Sequence, residues 1–325
     1  MNPLTSLVTT WLESARLAPS AHNTQPWKCS WDQQTLIISN DVAHTLQAGD
    51  PTMRQTYLGL GTFLQNLVLA AANDNYSVAI DETTFAAQSG KPAVTLHFIP
   101  GNAEHSGLFQ AIPLRHTNRG LYQTALPEST LSVLQAIEHP AAVSLDFVTE
   151  SPAKDRIAKL VEKGIFIGLT MNSLREELAD LVSFKNEGRL DGLQVESMTP
   201  HPAQAASGHD WLMNSLNPVD EATFNYEKFS SAPVLVIVST TFDGPGAWIE
   251  AGRTLESLLL TAARHGLAHC ISAAPVEIPT LAPLLRAETA QKGRPQALVR
   301  LGIPRDPSFT VSSPRRPVEE ILNRL

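Results

Sequence analysis

Apolar residues at Leu60, Phe63, Leu64, Leu67, Val68 and Ala71 recur at helical spacing and predict a long helix over 52–73, after Asp50-Pro51. A second long helix is expected over 247–265. Further helical stretches are expected over 5–18, 128–137 (opened by Pro127), 152–181 (with Pro152 near its start) and 317–324 (opened by Pro317). Short apolar or alternating runs predict strands over 35–39, 76–80, 93–99, 143–149, 233–240 and 296–302. Residues 101–107 read as a linker, and 186–225 as irregular chain rich in Pro, Gly, Asn and His. A stretch that long with little pattern is usually a functional lid or a loose insertion.

Mixed helices and strands imply an α+β fold. The expected division is a first half over 1–106 and a second half over 107–325, with a lid segment over 195–225. An offset of 191 residues aligns Gly61 with Gly252, and then Leu64, Leu67, Leu69, Ala71 and Ala72 with Leu255, Leu258, Leu260, Ala262 and Ala263. Six identities in one helix length suggest an internal repeat, although two Leu- and Ala-rich core helices can look alike by chance.

Composition narrows the classes. Hydrophobic residues make up 43% and charged residues 17% of 325, enough for a sizeable core. A net charge of −8 speaks against a nucleic-acid surface but leaves room for one local phosphate pocket. Cys29 and Cys270 lie far apart with no Cys-x-x-Cys, which suggests a reducing compartment and no disulfide framework. No secretory signal is visible and the apolar run Val234 to Val238 is too short to span a bilayer, so a soluble cytoplasmic protein is expected.

Four polar runs carry the candidate chemistry. Pro19-Ser20-Ala21-His22-Asn23-Thr24-Gln25-Pro26-Trp27 offers side-chain and backbone hydrogen bonds between two prolines; the plain alternative is a turn leaving a helix. Arg115-His116-Thr117-Asn118-Arg119 flanks a hydroxyl with two cations, which suits a phosphate, or else is a solvated basic turn. Ala263-Arg264-His265-Gly266-Leu267-Ala268-His269 contains a glycine that permits close backbone approach, or simply stops a helix. Ser313-Pro314-Arg315-Arg316-Pro317 brings a second basic pair, or caps a terminal helix.

Taken in order, these runs resemble the nitroreductase family of FMN enzymes. The first resembles its Pro-Ser-x-x-Asn-x-Gln-Pro-Trp segment, the second its Arg-x-Ser/Thr-x-Lys/Arg opening, and the third its glycine loop, with Ala268 in place of a second glycine. The fourth follows Leu301-Gly302-Ile303-Pro304, as a terminal basic residue does in the family. The resemblance extends to the Acg-type branch through Asp50-Pro51 with Arg54, Arg175-Glu176-Glu177-Leu178 and Asp191-Gly192-Leu193, and is weakest over 195–230. It implies a nitroreductase-like fold of two half-units joined as an intramolecular pseudo-dimer. The first half keeps the Gln-Pro-Trp segment without an Arg-x-Thr-x-Arg run, and the second half the reverse, with Glu138-His139-Pro140-Ala141-Ala142 where the segment would recur. One complete FMN site at the junction is therefore expected.

The resemblance implies a cofactor set of Pro19, Ser20, His22, Asn23, Gln25, Arg115, His116, Thr117, Arg119, Gly266, Leu267, Arg315 and Arg316. Arg115, Thr117 and Arg315 would hold the phosphate and Arg119 the N1–O2 edge of the ring. The implied activity is ping-pong hydride transfer from NAD(P)H through FMN to a nitroaromatic or quinone-like acceptor, with no side chain required as proton donor. The rival expectation is a lidded protein that holds or sequesters FMN, with Trp211, Met213 and Phe224 in the lid. The chain is expected to act as a monomeric pseudo-dimer, with a homodimer also open. Neither Gly-x-Ser-x-Gly nor His-Glu-x-x-His occurs, Gly59-Leu60-Gly61 lacks the third glycine of a dinucleotide fingerprint, and His201 and His209 have no ligand-spaced companions.

Overall fold

The computed structural model describes residues 3–81, 92–101, 103–104, 107–199, 201–290, 293–306, 309 and 312–324. The first unit contains α1 (Pro3–Ala15), β1 (Trp27–Trp31), β2 (Thr35–Asn40), α2 (Arg54–Asn73), β3 (Tyr76–Asp81) and β4 (Pro92–Pro100). Helix α2 buries residues on every side, as its nearly continuous apolar sequence requires. Strand β1 alternates: Trp27, Cys29 and Trp31 face the core while Lys28 faces water. Trp27 stacks on Phe63 of α2 with ring centroids 4.8 Å apart, which ties the sheet to the helix.

The second unit opens with α3 (Glu128–Gln135), β5 (Val143–Val148) and α4 (Ser151–Thr170). An excursion follows, with α5 (Asn172–Asp180), β6 (Val182–Ser183), β7 (Leu193–Gln194), α6 (Val195–Met198) and α7 (Gly208–Asp210), continued by a π-turn over Trp211–Ser215. The unit resumes with α8 (Pro218–Ser230), β8 (Val234–Thr240), α9 (Pro245–Arg264) and β9 (Ala268–Ser272). It closes with α10 (Ala274–Glu277), α11 (Ala282–Ala287), β10 (Arg294–Gly302), α12 (Val318–Ile321) and β11 (Leu322–Arg324). Strand β8 is buried on both faces, between an apolar cluster with α9 and another with α4 and α8.

The two units share one topology. The first sheet runs β1-β2-β4-β3 and the second β5-β8-β10-β9, with every one of these pairings antiparallel. In each, a long helix separates the second strand from the third, and the third lies at the edge. The long helices pack on each other at paired glycines. A Cβ on Gly61 would lie 2.1 Å from the Ile249 carbonyl oxygen, and one on Gly252 would lie 2.1 Å from that of Leu58. Both contacts keep the offset of 191, so the seam is self-complementary, like a two-fold interface between subunits. The helix ends match as well: Asn75 (φ 62°) and Gly266 (φ 72°) are both left-handed, and their N–H groups donate to the carbonyls of Ala72 and Ala263.

Several elements differ from expectation. The helix expected over 5–18 is α1, shifted to 3–15. The one expected over 152–181 breaks at Met171, whose backbone is extended. Residues 186–225 hold ordered turns and most of α8, which Asn217 caps by accepting from Val219 N and Asp220 N with Pro218 at the first turn. The terminal helix over 317–324 is a single turn followed by β11, which pairs parallel with β1 through Cys29/Leu322 and Ser30/Asn323. The tail thus leaves the second unit and closes the edge of the first unit's sheet. Cys29 is buried and Cys270 half-buried, and both are free thiols.

Candidate functional site

The run after α1 adopts a backbone that few residues tolerate. His22, Asn23 and Gln25 have φ values of 47°, 56° and 54°, and left-handed geometry costs a non-glycine residue about 1–3 kcal/mol. Hydrogen bonds from three segments hold it. Gln25 N donates to Ser20 Oγ at 2.9 Å. Asn23 Nδ2 donates to the Gly192 and Pro314 carbonyls at 3.1 Å each, and Asn23 Oδ1 accepts from Arg315 Nη1 at 2.8 Å. Gln25 Nε2 donates to Leu190 O at 2.9 Å, and Gln25 Oε1 accepts from Arg316 N at 2.8 Å. The amides expected to serve a ligand therefore clamp the excursion and the C-terminal tail onto the loop.

Beside this loop lies a cleft of about 300 Å³, at the low end of the range for small-molecule sites. The first unit contributes Pro19, Ser20, His22 and Asn23 to its wall. The second contributes Arg115, His116, Thr117 and Arg119, the excursion Leu193, and the tail Arg315. Arg115 and Arg315 converge on one acceptor: Arg115 Nη2 and Arg315 Nη2 donate to the Leu17 carbonyl at 2.8 and 3.1 Å. That carbonyl lies in the turn just after α1, where the helix dipole favours cations. Arg115 Nη1 also lies 3.3 Å from His269 Nε2, and Thr117 Oγ1 lies 3.5 Å from the same nitrogen. Asn118 N donates to the His269 carbonyl, so β9 fixes the basic run in place. Arg119 Nη1 reaches Ser197 Oγ at 3.3 Å, a bridge from the cleft to the excursion.

Burial and like charge set the electrostatics. Burial, and then the neighbouring Arg115, bring Arg315 down to about 9. Arg115 is lowered by burial, against the pull of Glu256. His22 falls to about 4 through burial, and His269 falls well below its ordinary value through burial and then Arg115. His116 is lowered by burial and then Arg115. The three imidazoles are therefore neutral near pH 7, and the positive charge of the cleft is guanidinium charge. Arg315 Nε is buried without a hydrogen-bond partner, and so is His22 Nδ1. An orphaned guanidinium donor beside two crowded cations fits an anion with several acceptor oxygens.

Four expected site residues fall outside the cleft wall. Gly266 is the helix cap described above, matched by Asn75 in the unit without an arginine run, and Leu267 is buried in the second unit's apolar core. The Gln25 side chain points into the clamp. Arg316 donates to Gln25 O and Asp41 Oδ2 at 3.2 and 3.1 Å, directed away from the cleft that Arg315 enters. Trp211 and Met213 belong to the excursion's own core, and Phe224 lies under the Lys228 ammonium. The excursion reaches the cleft through Leu193 and Ser197 instead. His269 and Glu256 are site residues that sequence reasoning passed over; Glu256, one acid among the apolar positions of α9, carried the clearer signal.

No three His, Cys, Asp or Glu side chains gather as a metal site among the described residues, and His209 pairs with Asp180 at 3.6 Å. Among the same residues no helix is long and apolar enough to cross a membrane.

Fold and cleft together define a two-unit α+β protein with a cationic cleft at the junction of its halves. No family model matches the chain. Its curated relatives include a Mycobacterium tuberculosis protein provisionally named NAD(P)H nitroreductase acg, 28% identical over 335 residues that cover 98% of this chain and 96% of that protein. A second relative from that organism, provisionally named NAD(P)H nitroreductase Rv3131, is 26% identical over 98% of this chain and 92% of its own length. The expected resemblance to Acg-type nitroreductases is thus borne out over nearly the whole sequence. Among solved structures, the FMN and NADPH-dependent nitroreductase NfnB of Sphigopyxis sp. strain HMH gives a TM-score of 0.46 at 16% identity, covering 66% of this chain and 97% of that one. NfnB from Mycobacterium smegmatis, in complex with NADPH, gives 0.42 at 17% identity, covering 65% and 94%.

Proposed function

We propose that the protein is an FMN-dependent oxidoreductase of the nitroreductase type, with one flavin site per chain at the junction of two fused halves. The observation that carries this reading is the convergence of Arg115, buried, and Arg315, half-buried, on a cleft whose opposite wall is the strained 19–25 loop. Their forked donors and the Thr117 hydroxyl suit a phosphate, and the orphaned Arg315 Nε remains available for it. Arg119, within reach of Ser197, would supply a cation to the ring edge, and Pro19, Ser20 and His22 would flank the ring from the other half. FMN bound there supplies hydride transfer between NAD(P)H and an acceptor of nitroaromatic or quinone type. The clamp of Asn23 and Gln25 keeps the first-half wall rigid, so that ring and reactants meet in one fixed geometry.

A second reading has its own support. Asn23 binds Gly192 and Arg119 binds Ser197, so the excursion is fastened across the cleft from both walls. Were it to stay fastened, the protein would hold FMN without turnover. Anaerobic NADPH addition to the FMN-loaded protein, followed by a quinone, separates the two. Bleaching and steady NADPH oxidation support the oxidoreductase; a flavin band that persists overturns it in favour of the holding role.

A further inference from the structure

Behind the cleft, α9 carries a charge that the scheme above leaves unused. Glu256 is completely buried, and neither of its carboxylate oxygens has a hydrogen-bond partner. Its nearest cation is Arg115, whose Nε lies 3.5 Å from Oε1, an ion pair too loose for a hydrogen bond. Asn66 of α2, also fully buried, lies beside it; its amide leans on the carboxylate and favours the ionised form without closing to full hydrogen-bond geometry. Arg315 adds a weaker attraction. The strands under α9 present apolar side chains, among them Val143, Val236, Val238 and Val299, and His269 of β9 bears on Arg115 rather than on Glu256. The arrangement satisfies neither state of the carboxyl fully. Ionised, it has the loose Arg115 pair and the weak contact from the Asn66 amide; neutral, it gains an O–H that the Asn66 carbonyl oxygen can accept once that amide turns.

We propose that Glu256 is a positioning residue that couples anion binding in the cleft to the uptake of one proton. Arg115 is shared between the buried carboxylate and a bound phosphate. When phosphate takes the guanidinium, a solvent proton neutralises Glu256, which then hydrogen-bonds to Asn66 and keeps Arg115 turned toward the cleft. Burial already raises Glu256 to about 7, against the opposing effect of Arg115, so the change falls within the neutral range. The coupling rests on the cleft being a phosphate site, and its sign follows by linkage: binding weakens as pH rises.

The test is calorimetric titration of FMN into the apo-protein near neutral pH in two buffers of different ionisation enthalpy, on the wild type and on Glu256→Gln. The two titrations count protons exchanged, and the ligand's own phosphate contributes equally to both. Near pH 7 the wild type is expected to take up about half of one proton more than the variant, rising toward one at higher pH, and its Kd to rise by up to about tenfold per pH unit above neutrality while the variant's stays flatter. Equal proton counts with intact binding in both proteins overturn the coupling. Should Glu256→Gln fail to fold, the infrared difference spectrum of the wild type decides: a protonated-carboxyl band on FMN addition supports the coupling, and its absence overturns it. If FMN does not bind, the flavin reading fails, and the same titration with inorganic phosphate judges the coupling separately. Proton uptake with phosphate binding supports it, and binding without uptake, or no binding, overturns it.

Discussion

Helices α2 and α9 meet as near equivalents, whereas the surfaces that flank them have diverged. Both helices bury a glycine against the other's backbone, and both end in a left-handed cap that leads into an edge strand. Around that symmetric seam, only the second unit supplies the basic run 115–119 and only the first supplies the 19–25 loop. Packing at the seam constrains both helices at once, since each backbone is the other's contact surface. The flanks carry no such mutual constraint, so each half can keep a different part of one site.

The seam offers the largest expected effects. Gly61→Ala and Gly252→Ala should each destabilise the fold by about 3 kcal/mol or more, because the added methyl meets a carbonyl of the opposite helix. Gly59→Ala, whose Cβ would meet nothing nearer than Ser20 Cβ at 3.5 Å, should be neutral or mildly stabilising. Urea unfolding of the three variants checks this, and unequal costs at the two seam glycines would break the equivalence.

Acid should act on the diverged flank. His22 has a folded-state pKa of about 4 against an ordinary 6.5, so the unfolded chain binds the proton first. Its contribution to stability is complete above the unfolded value and is lost as pH falls from 6.5 toward 4, to a limit of about 3 kcal/mol. Urea melts of His22→Gln should lose less stability than the wild type across that window.

Asn23→Ala removes the acceptor for Arg315 and two bonds to the excursion and tail. The expected result is a stability loss of about 1–2 kcal/mol and FMN binding weakened about tenfold, read by urea melts and fluorescence titration. The smallest effects belong to the matched caps. Asn75→Gly should stabilise and Gly266→Ala destabilise by about 1 kcal/mol each, and Gly266→Asn should leave both the urea midpoint and the flavin content nearly unchanged. A flavin loss in Gly266→Asn would restore this glycine to the site.

Helix α2, strand β8 and the repeat were legible because each is a long, uninterrupted pattern that packing rewards. The start of α8 was also written in the chain, as Asn217-Pro218 ahead of two acids, but the polar tract before it hid the signal. Strand β11 was not legible: three residues form a strand only because β1 offers an edge. At the site, the basic runs and the 19–25 loop declared themselves by residue type. The roles within them did not. Arg315 and Arg316 are neighbours of the same chemistry, and only the position of Asp41 decides which one leaves the cleft. Gly266 was ambiguous because a glycine after a helix carries the same signature as a cap or as a cofactor loop; its match with Asn75 accounts for the cap and leaves a cofactor role to experiment. His269 had no spacing to mark it; its place depends on β9 pairing beside Thr117.

The proposed flavin site is single, anchored through the phosphate and built from both halves. The most direct measurement is the FMN content, per chain, of wild type and of the double variant Arg115→Ala/Arg315→Ala after saturation with FMN and gel filtration. One flavin per wild-type chain and almost none in the variant is the expected result, since each lost charge-assisted bond is worth about 1.5–3 kcal/mol. Two flavins per chain, or undiminished flavin in a folded double variant, would contradict it.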